Sequence, residues 1–200
     1  MNLLAVDTTG ESLSLALRAG DKVFALHKAF KAPHDETLLP QIDRLLRRAG
    51  IDLKELDAIA AASGPGRFTG IRIGMAYATV AASALKIPAI AVSRLEAALG
   101  TSKGGLVCAV VPGWRDEKFY QIFRGLRPEA PPVWADPQVW QGVQAELALK
   151  HVVIKECDPT AQDLLAPALR HFGRKRRPRF EPLYLKPASY EAKHKARPVR

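Results

Sequence analysis

The chain has 200 residues and a mass of 21.9 kDa, with 48% hydrophobic and 25% charged residues, the make-up of one globular domain or two small lobes. Cys108 and Cys157 are its only cysteines and form no C-x-x-C pair, which excludes a disulfide scaffold and a structural zinc site and suits a reducing cytoplasm. The first acid comes at Asp7 with no basic leader before it, unlike a signal peptide, and no apolar run approaches the ~18 residues of a membrane helix.

Leu3–Asp7 (LLAVD) is a continuously apolar run ending in an acid, as a central strand buried on both faces would read. Thr8-Thr9-Gly10 has turn chemistry. Ser12–Leu17 then alternates, with Leu13, Leu15 and Leu17 on one face, Ala19-Gly20-Asp21 turns again, and Lys22–Lys28 reads as a third strand. Three strands joined by short turns predict an antiparallel meander. A helix follows, with His34 and Asp35 as candidate caps, Gly50 as its stop, and Leu38, Leu39, Ile42, Leu45, Leu46 and Ala49 at helical spacing. Pro40 is expected in its first turn, where a missing N–H is harmless.

Leu56–Ala62 reads as a strand, Ser63–Gly70 (SGPGRFTG) as a glycine-rich loop, and Ile71–Leu85 as a helix apolar almost all round. Ala89–Val92 is a further strand, and Ser93 caps a short helix, Arg94–Leu99. This alternation predicts parallel strands added to the meander. Lys103-Gly104-Gly105 is a linker. Leu106–Val111 and Phe119–Arg124 read as strands of a smaller unit, and Gly125–Trp140, with four prolines, as mostly irregular chain. Val152–Ile154 is a short strand, and Thr160 caps a last helix that ends at Phe172. The expected units are 1–102, 103–172 and a basic tail, 173–200.

The formal charge of +10 is uneven. Residues 171–200 hold ten Lys/Arg against Glu181 and Glu191, leaving a nearly neutral body. A solvated end that aids solubility is the simpler reading of this tail, and a phosphate-contacting arm is the sharper one.

Two polar loops follow strands, Asp7-Thr8-Thr9-Gly10 and Ser63–Gly70. The second leads into a helix N-terminus, where glycines let backbone N–H groups approach an anion. Asp7, Thr8, Thr9, Gly64, Gly66 and Thr69 are therefore the candidate nucleotide-binding residues, with a tight turn as the plain alternative. The loop has neither the G-K-[ST] of a Walker loop nor G-x-G-x-x-G. The sequence holds no H-x-x-x-H and no G-x-S-x-G, and a lone acid at Asp7 makes a poor metal site, so no catalytic or metal-ligating residue is assigned. Trp114, Trp134 and Trp140 beside Arg115, Lys118 and Arg124 suit base stacking, or more simply the core of the small unit.

Ser63–Gly74 (SGPGRFTGIRIG), together with Leu4–Thr9 (LAVDTT), Ser14–Leu17 (SLAL), His34–Pro40 (HDETLLP) and Glu181–Lys186 (EPLYLK), resembles the bacterial TsaB (YeaZ) family. The resemblance is dense over residues 1–100 and sparse between 101 and 180. There the family's D-A-R-x-x-E-V-Y corresponds to Gly113–Tyr120, with Gly113 and Lys118 in place of the two acids. The resemblance implies an α/β, mixed-sheet, actin/hexokinase-like (ribonuclease-H-like) two-lobe fold with a reduced second lobe. It implies a non-catalytic cytoplasmic subunit that dimerises with a catalytic paralogue, TsaD. The pair would support threonylcarbamoyl transfer to adenosine in tRNAs reading codons that start with A, with a TsaE-like ATPase joining them and a homodimer open to the free chain.

No cofactor of its own is implied, and ATP or ADP belongs to the assembled complex. Extended without a gap from the G-P-G loop, the paralogue's metal-binding H-x-x-x-H falls on Arg94 and Ala98, neither of which offers a neutral nitrogen ligand. The partner surface is expected on helices 36–49 and 71–85, through His34, Leu38, Leu39, Ile42, Leu45, Leu46, Ile71, Gly74, Met75 and Ala78. A helix apolar on nearly every side should turn one side outward, and Met75→Glu should then separate an assembly without unfolding the chain. The alternative is a small ATP-binding phosphotransferase or ATPase using Asp7, Thr8, Thr9 and the Gly64–Gly70 loop. A metalloprotease-like activity and a stand-alone tRNA-binding module are further readings.

Overall fold

The computed structural model describes residues 1–101, 104–175 and 177–186. Lys103 of the expected linker and residues 187–200 of the basic tail lie outside the described residues. The first sheet holds β1 (Leu3–Asp7), β2 (Leu13–Ala19), β3 (Lys22–Lys28), β4 (Ala58–Gly64) and β5 (Ala89–Ser93) in the order β3-β2-β1-β4-β5. The meander is antiparallel and β4 and β5 join in parallel, with Leu4 opposite both Leu17 and Ile59. β1 is buried along its length because both faces are covered. Leu4 and Val6 pack beneath α1 (His34–Ala49) and α2 (Phe68–Leu85), while Leu3 and Ala5 pack with Ala161, Leu164 and Ala168 of α5 (Ala161–Phe172). A strand covered twice reads as an unbroken apolar run.

The second sheet holds β6 (Leu106–Pro112), β7 (Lys118–Arg124), β8 (Arg127–Pro128), β9 (Val133–Ala135) and β10 (Val153–Glu156). The path is β10-β6-β7-β8, with β9 also on β7. α4 (Pro137–Leu149) covers one face through Trp140 and Leu147. α3 (Arg94–Leu99) covers the other through Leu95, Ala98 and Leu99, and Ala97 meets the core of the first sheet. This helix is therefore wedged between the two layers, and its first residue, Arg94, is delivered to the seam.

Several expectations are corrected. Gly125–Trp140 is not mostly irregular: β8, β9 and the start of α4 fall inside it. Its prolines sit where a missing N–H does no harm, Pro128 in a two-residue strand on the sheet's edge and Pro137 at the first position of α4, next to the Asp136 cap that accepts from Val139 N at 2.9 Å. Pro40 lies inside α1 rather than in its first turn, and the Glu36 carbonyl it leaves unpaired belongs to an exposed part of the helix. Pro33 takes the N-cap position, so His34 and Asp35 are first-turn residues. α2 begins at Phe68, so the end of the glycine loop is already helical. By length and apolar composition that helix could cross a membrane, contrary to the reading from apolar runs, yet Ile71, Met75, Ala78 and Ala82 pack in the core of the first lobe. α5, assigned with 103–172, packs on the first sheet.

The expected partner surface is largely core. Leu38, Ile42, Leu45, Leu46, Ile71, Met75 and Ala78 are each 7% exposed or less, and Gly74 is buried as well. The apolar stripes of α1 and α2 are used against the sheet beneath them. A charge at Met75 would therefore be buried, and Met75→Glu is now expected to unfold the chain rather than separate an assembly. Only His34, half-buried and donating from Nε2 to the Gly10 carbonyl at 3.1 Å, and Leu39, 59% exposed, stay clear of the core.

Candidate functional site: the inter-lobe cleft

The carboxyl ends of the parallel strands point to one place, as ligand clefts of α/β sheets do. Asp7 ends β1, Gly64 ends β4, Arg94 follows β5, Pro112 ends β6, and Asp158 follows β10. All but Gly64 line a cleft of about 1670 Å³ between the lobes, together with Gly66, Arg67, Phe68, Trp114 and the 183–186 segment.

Asp7 is buried at 3% exposure. Its Oδ1 accepts from Thr9 N at 2.8 Å and from Thr9 Oγ1 at 2.6 Å. Its Oδ2 lies 3.2 Å from Arg94 Nε, an ion pair buried on both sides. Arg94 also donates to the Pro65 carbonyl at 3.1 Å and pairs with Asp158. The guanidinium thus ties together the ends of three strands from both lobes. Sequence reasoning saw Arg94 only as a residue unable to bind a metal and missed its pairing with Asp7. The available signal was position: a cation opening the helix after β5 falls on the same sheet edge as the acid ending β1.

The other candidate residues come together as anticipated, but their polar groups face each other. Thr8 Oγ1 donates to the Gly70 carbonyl at 2.6 Å, and Arg67 N donates to the Thr9 carbonyl at 2.8 Å. A Cβ on Gly70 would stand 2.0 Å from the Thr8 carbonyl oxygen and one on Gly66 2.7 Å from Thr9 Cβ. These glycines let the start of α2 press onto the Thr8-Thr9 turn. Gly64, at φ +112, would place a Cβ 2.6 Å from the Leu183 carbonyl oxygen. Thr69 is exposed in the first turn of α2. Among the described residues no three His, Cys, Asp or Glu side chains are grouped to hold a metal ion.

Outside the cleft, Glu96 of α3 accepts from Arg170 at 3.2 Å and meets His171 Nε2 at 2.8 Å, tying α5 to the wedge helix. Burial alone would raise its carboxyl, but hydrogen bonds and charge from His171 and Arg170 hold it below its usual value.

The family model of TsaD, tRNA N6-adenosine threonylcarbamoyltransferase, matches residues 28–124. The tRNA threonylcarbamoyladenosine biosynthesis protein TsaB of Escherichia coli K12 is 30% identical over 162 residues, 78% of this chain and 65% of that protein. TsaB of Bacillus subtilis 168 is 35% identical over 138 residues, 66% of this chain and 60% of that protein. The solved structure of YeaZ from Pseudomonas aeruginosa superposes with a TM-score of 0.71 at 26% identity, over 92% of this chain and 99% of that one. The chain belongs to the TsaB (YeaZ) family. It spans less than two thirds of the length of the E. coli and B. subtilis TsaB proteins. A second P. aeruginosa structure, with a TM-score of 0.73 and 26% identity, is described as similar to the peptidase YeaZ.

The α/β mixed-sheet fold is the one expected of TsaB. Of the two positions where this chain departs from the TsaB pattern, Gly113 lines the cleft, and Lys118 pairs with Glu156 across the second sheet.

Proposed function

We propose that the chain is a non-catalytic cytoplasmic subunit that pairs with a TsaD-like threonylcarbamoyltransferase. It supports threonylcarbamoyl transfer to adenosine in tRNAs that read codons starting with A. The observation that carries this reading is the Arg94–Asp7 pair. Asp7, the buried carboxylate at the end of β1 and the candidate nucleotide-site acid, is engaged by the chain's own Arg94 guanidinium and its own Thr9. A divalent cation at Asp7 would have to displace a buried Arg94. We assign the chain no cofactor of its own, and place ATP or ADP and a TsaE-like ATPase with the assembled complex. The metalloprotease reading lacks a zinc donor set among the described residues.

The partner surface is placed on the outward stripe of α2, with homodimerisation through the same stripe when the partner is missing. Ala76, Thr79, Val80 and Ser83 recur there at helical spacing and are all exposed, Val80 at 70%. All four are small or apolar, which allows close helix approach. Val80→Glu should leave the circular dichroism spectrum unchanged and abolish capture of the TsaD-like partner. The chain alone should show neither threonylcarbamoyl transfer nor steady ATP hydrolysis, transfer appearing only when the partner is added. Steady ATP turnover by the isolated chain, lost in Asp7→Ala, would overturn the proposal in favour of the ATPase alternative.

A further inference from the structure

We propose that residues 173–175 and 177–186 form an RNA-docking strap, a cationic stripe fastened to the body that holds the phosphate backbone of tRNA. The choice of RNA rests on the reading above; the strap itself rests on geometry and charge. The basic tail does not leave the protein at the end of α5. Leu183 N donates to the Ser63 carbonyl at 2.7 Å, Phe180 packs against the core of the first lobe, and Leu185 packs against that of the second. With Phe180 and Leu185 turned inward, the strap presents Arg174, Lys175, Arg177 and Arg179 to solvent.

Among the described residues, the carboxylate paired with this run is Glu181, 3.7 Å from Arg179, and none is paired with Arg174, Lys175 or Arg177. Lys186 is engaged by Glu117 at 2.5 Å and is not counted. At the far end, Tyr184 and Phe68 lie 4.8 Å apart, 42% and 51% exposed, with the Arg72 guanidinium 4.0 Å over the Phe68 ring. Cations strung along an anchored segment suit a polyanion rather than a small ligand, and exposed aromatic rings beside them suit unpaired bases. An anionic membrane is the weaker match, because Phe180 and Leu185 pack against the cores of the two lobes and leave only the Phe68–Tyr184 ring pair to insert. Anchoring also lowers the ordering cost that a free tail would meet on binding.

The test measures binding of a fluorescent tRNA transcript by the full-length chain between about 50 and 200 mM salt. Arg174→Glu/Lys175→Glu/Arg177→Glu should weaken binding at least ~10-fold. It should also flatten the slope of log affinity against log salt by about two units, since each lost phosphate contact removes roughly 0.7–0.9. The matched reversal of three exposed cations on α1, Arg44→Glu/Arg47→Glu/Arg48→Glu, should leave the slope unchanged. Tyr184→Ala should cost about fivefold with no change of slope. Equal losses in both triple variants would reduce the effect to net charge and overturn the proposal. So would an unaffected strap variant, or tighter binding to phosphatidylserine vesicles than to tRNA. Capture of the TsaD-like partner, measured on the same variants, should persist. If capture holds while wild-type tRNA binding is missing, the strap fails alone; if capture fails in the wild type, the subunit reading fails instead.

Discussion

Removing Arg94 while keeping its volume isolates the contribution of the buried pair. Arg94→Met leaves Asp7, 3% exposed, without a cation and with only the N–H and hydroxyl of Thr9 as donors. Breaking a buried ion pair from one side costs about 3–5 kcal/mol. The lower end applies here, because Thr9 still solvates the carboxylate and Asp158, whose side chain is 64% exposed, loses little. An unfolding entropy of roughly 2.1 cal/mol/K per residue then turns ~3 kcal/mol into a fall in Tm of about 7 °C. Differential scanning calorimetry near pH 7 measures it. Asp7→Asn/Arg94→Met should regain at least half of the loss, since the orphaned charge goes with its partner. The hydrogen bond to the Pro65 carbonyl, worth about 1 kcal/mol, would not return. A fall of less than about 2 °C for the single variant, or a double variant worse than both singles, would refute the reasoning.

Glu96→Gln should cost about 1.5–3 kcal/mol near pH 7, the range for hydrogen bonds to a charged group. The folded-state carboxyl sits below its usual value, so its stabilising contribution is present above the unfolded pKa and is lost as pH falls through the folded one. Parent and variant should therefore converge in acid denaturation below about pH 4; curves that stay parallel would count against the Glu96–His171–Arg170 cluster. Cys108, fully buried with its thiol pushed up to about 12 by that burial, should react with Ellman's reagent only as fast as the chain opens. Rapid reaction of both thiols in the native state would contradict the packing of β6 against α4. Gly70→Ala, with its Cβ 2.0 Å from the Thr8 carbonyl oxygen, should cost at least the ~1–3 kcal/mol of an overpacked core. Gly142→Ala in α4, with nothing within 4 Å, should instead add about 0.5–1 kcal/mol, as chemical denaturation would show.

The strands and helices of the first lobe were legible because each carries its own pattern. LLAVD reads as a doubly covered strand, Leu13, Leu15 and Leu17 as a one-sided one, and Gly50 ends α1 at φ 69 with its N–H on the Arg47 carbonyl. What was not legible depended on long-range packing. The spacing of Leu38, Ile42 and Leu45 says that a helix has an apolar stripe but not which body covers it, so residues that pack on the chain's own sheet passed for a partner surface. Proline count obscured α4, because the sequence does not show which prolines stand at element edges. In the cleft, Asp7, Thr8, Thr9 and the glycine loop were each identified and do meet. Apart from the local Asp7–Thr9 bonds, their contacts were invisible because the partners are 58 to 87 positions apart, as with the Arg67 hydrogen bond to Thr9 and the Arg94 ion pair with Asp7.

The same chemistry that fits a glycine loop for a phosphate also fits it for a neighbouring turn, and here the turn is the observed partner. A phosphate cradle needs backbone N–H groups aimed at open space and a carboxylate placed to hold its metal. In this cleft the Arg67 N–H is taken by the Thr9 carbonyl, the Thr8 hydroxyl by the Gly70 carbonyl, and both oxygens of Asp7 by Thr9 and Arg94. Apart from the Asp7–Thr9 bonds, which stay within the turn after β1, these contacts join the end of β1 to the start of α2 or α3. The polar groups of the cleft therefore hold fixed, through buried hydrogen bonds and one buried ion pair, the two helices that set its walls. α2, whose outward stripe is the proposed docking face, is pinned at its N-terminus by Thr8 and Thr9. Its orientation on the sheet then rests on contacts within the chain, and a partner meets a face that is already in place, which lowers the ordering cost of association.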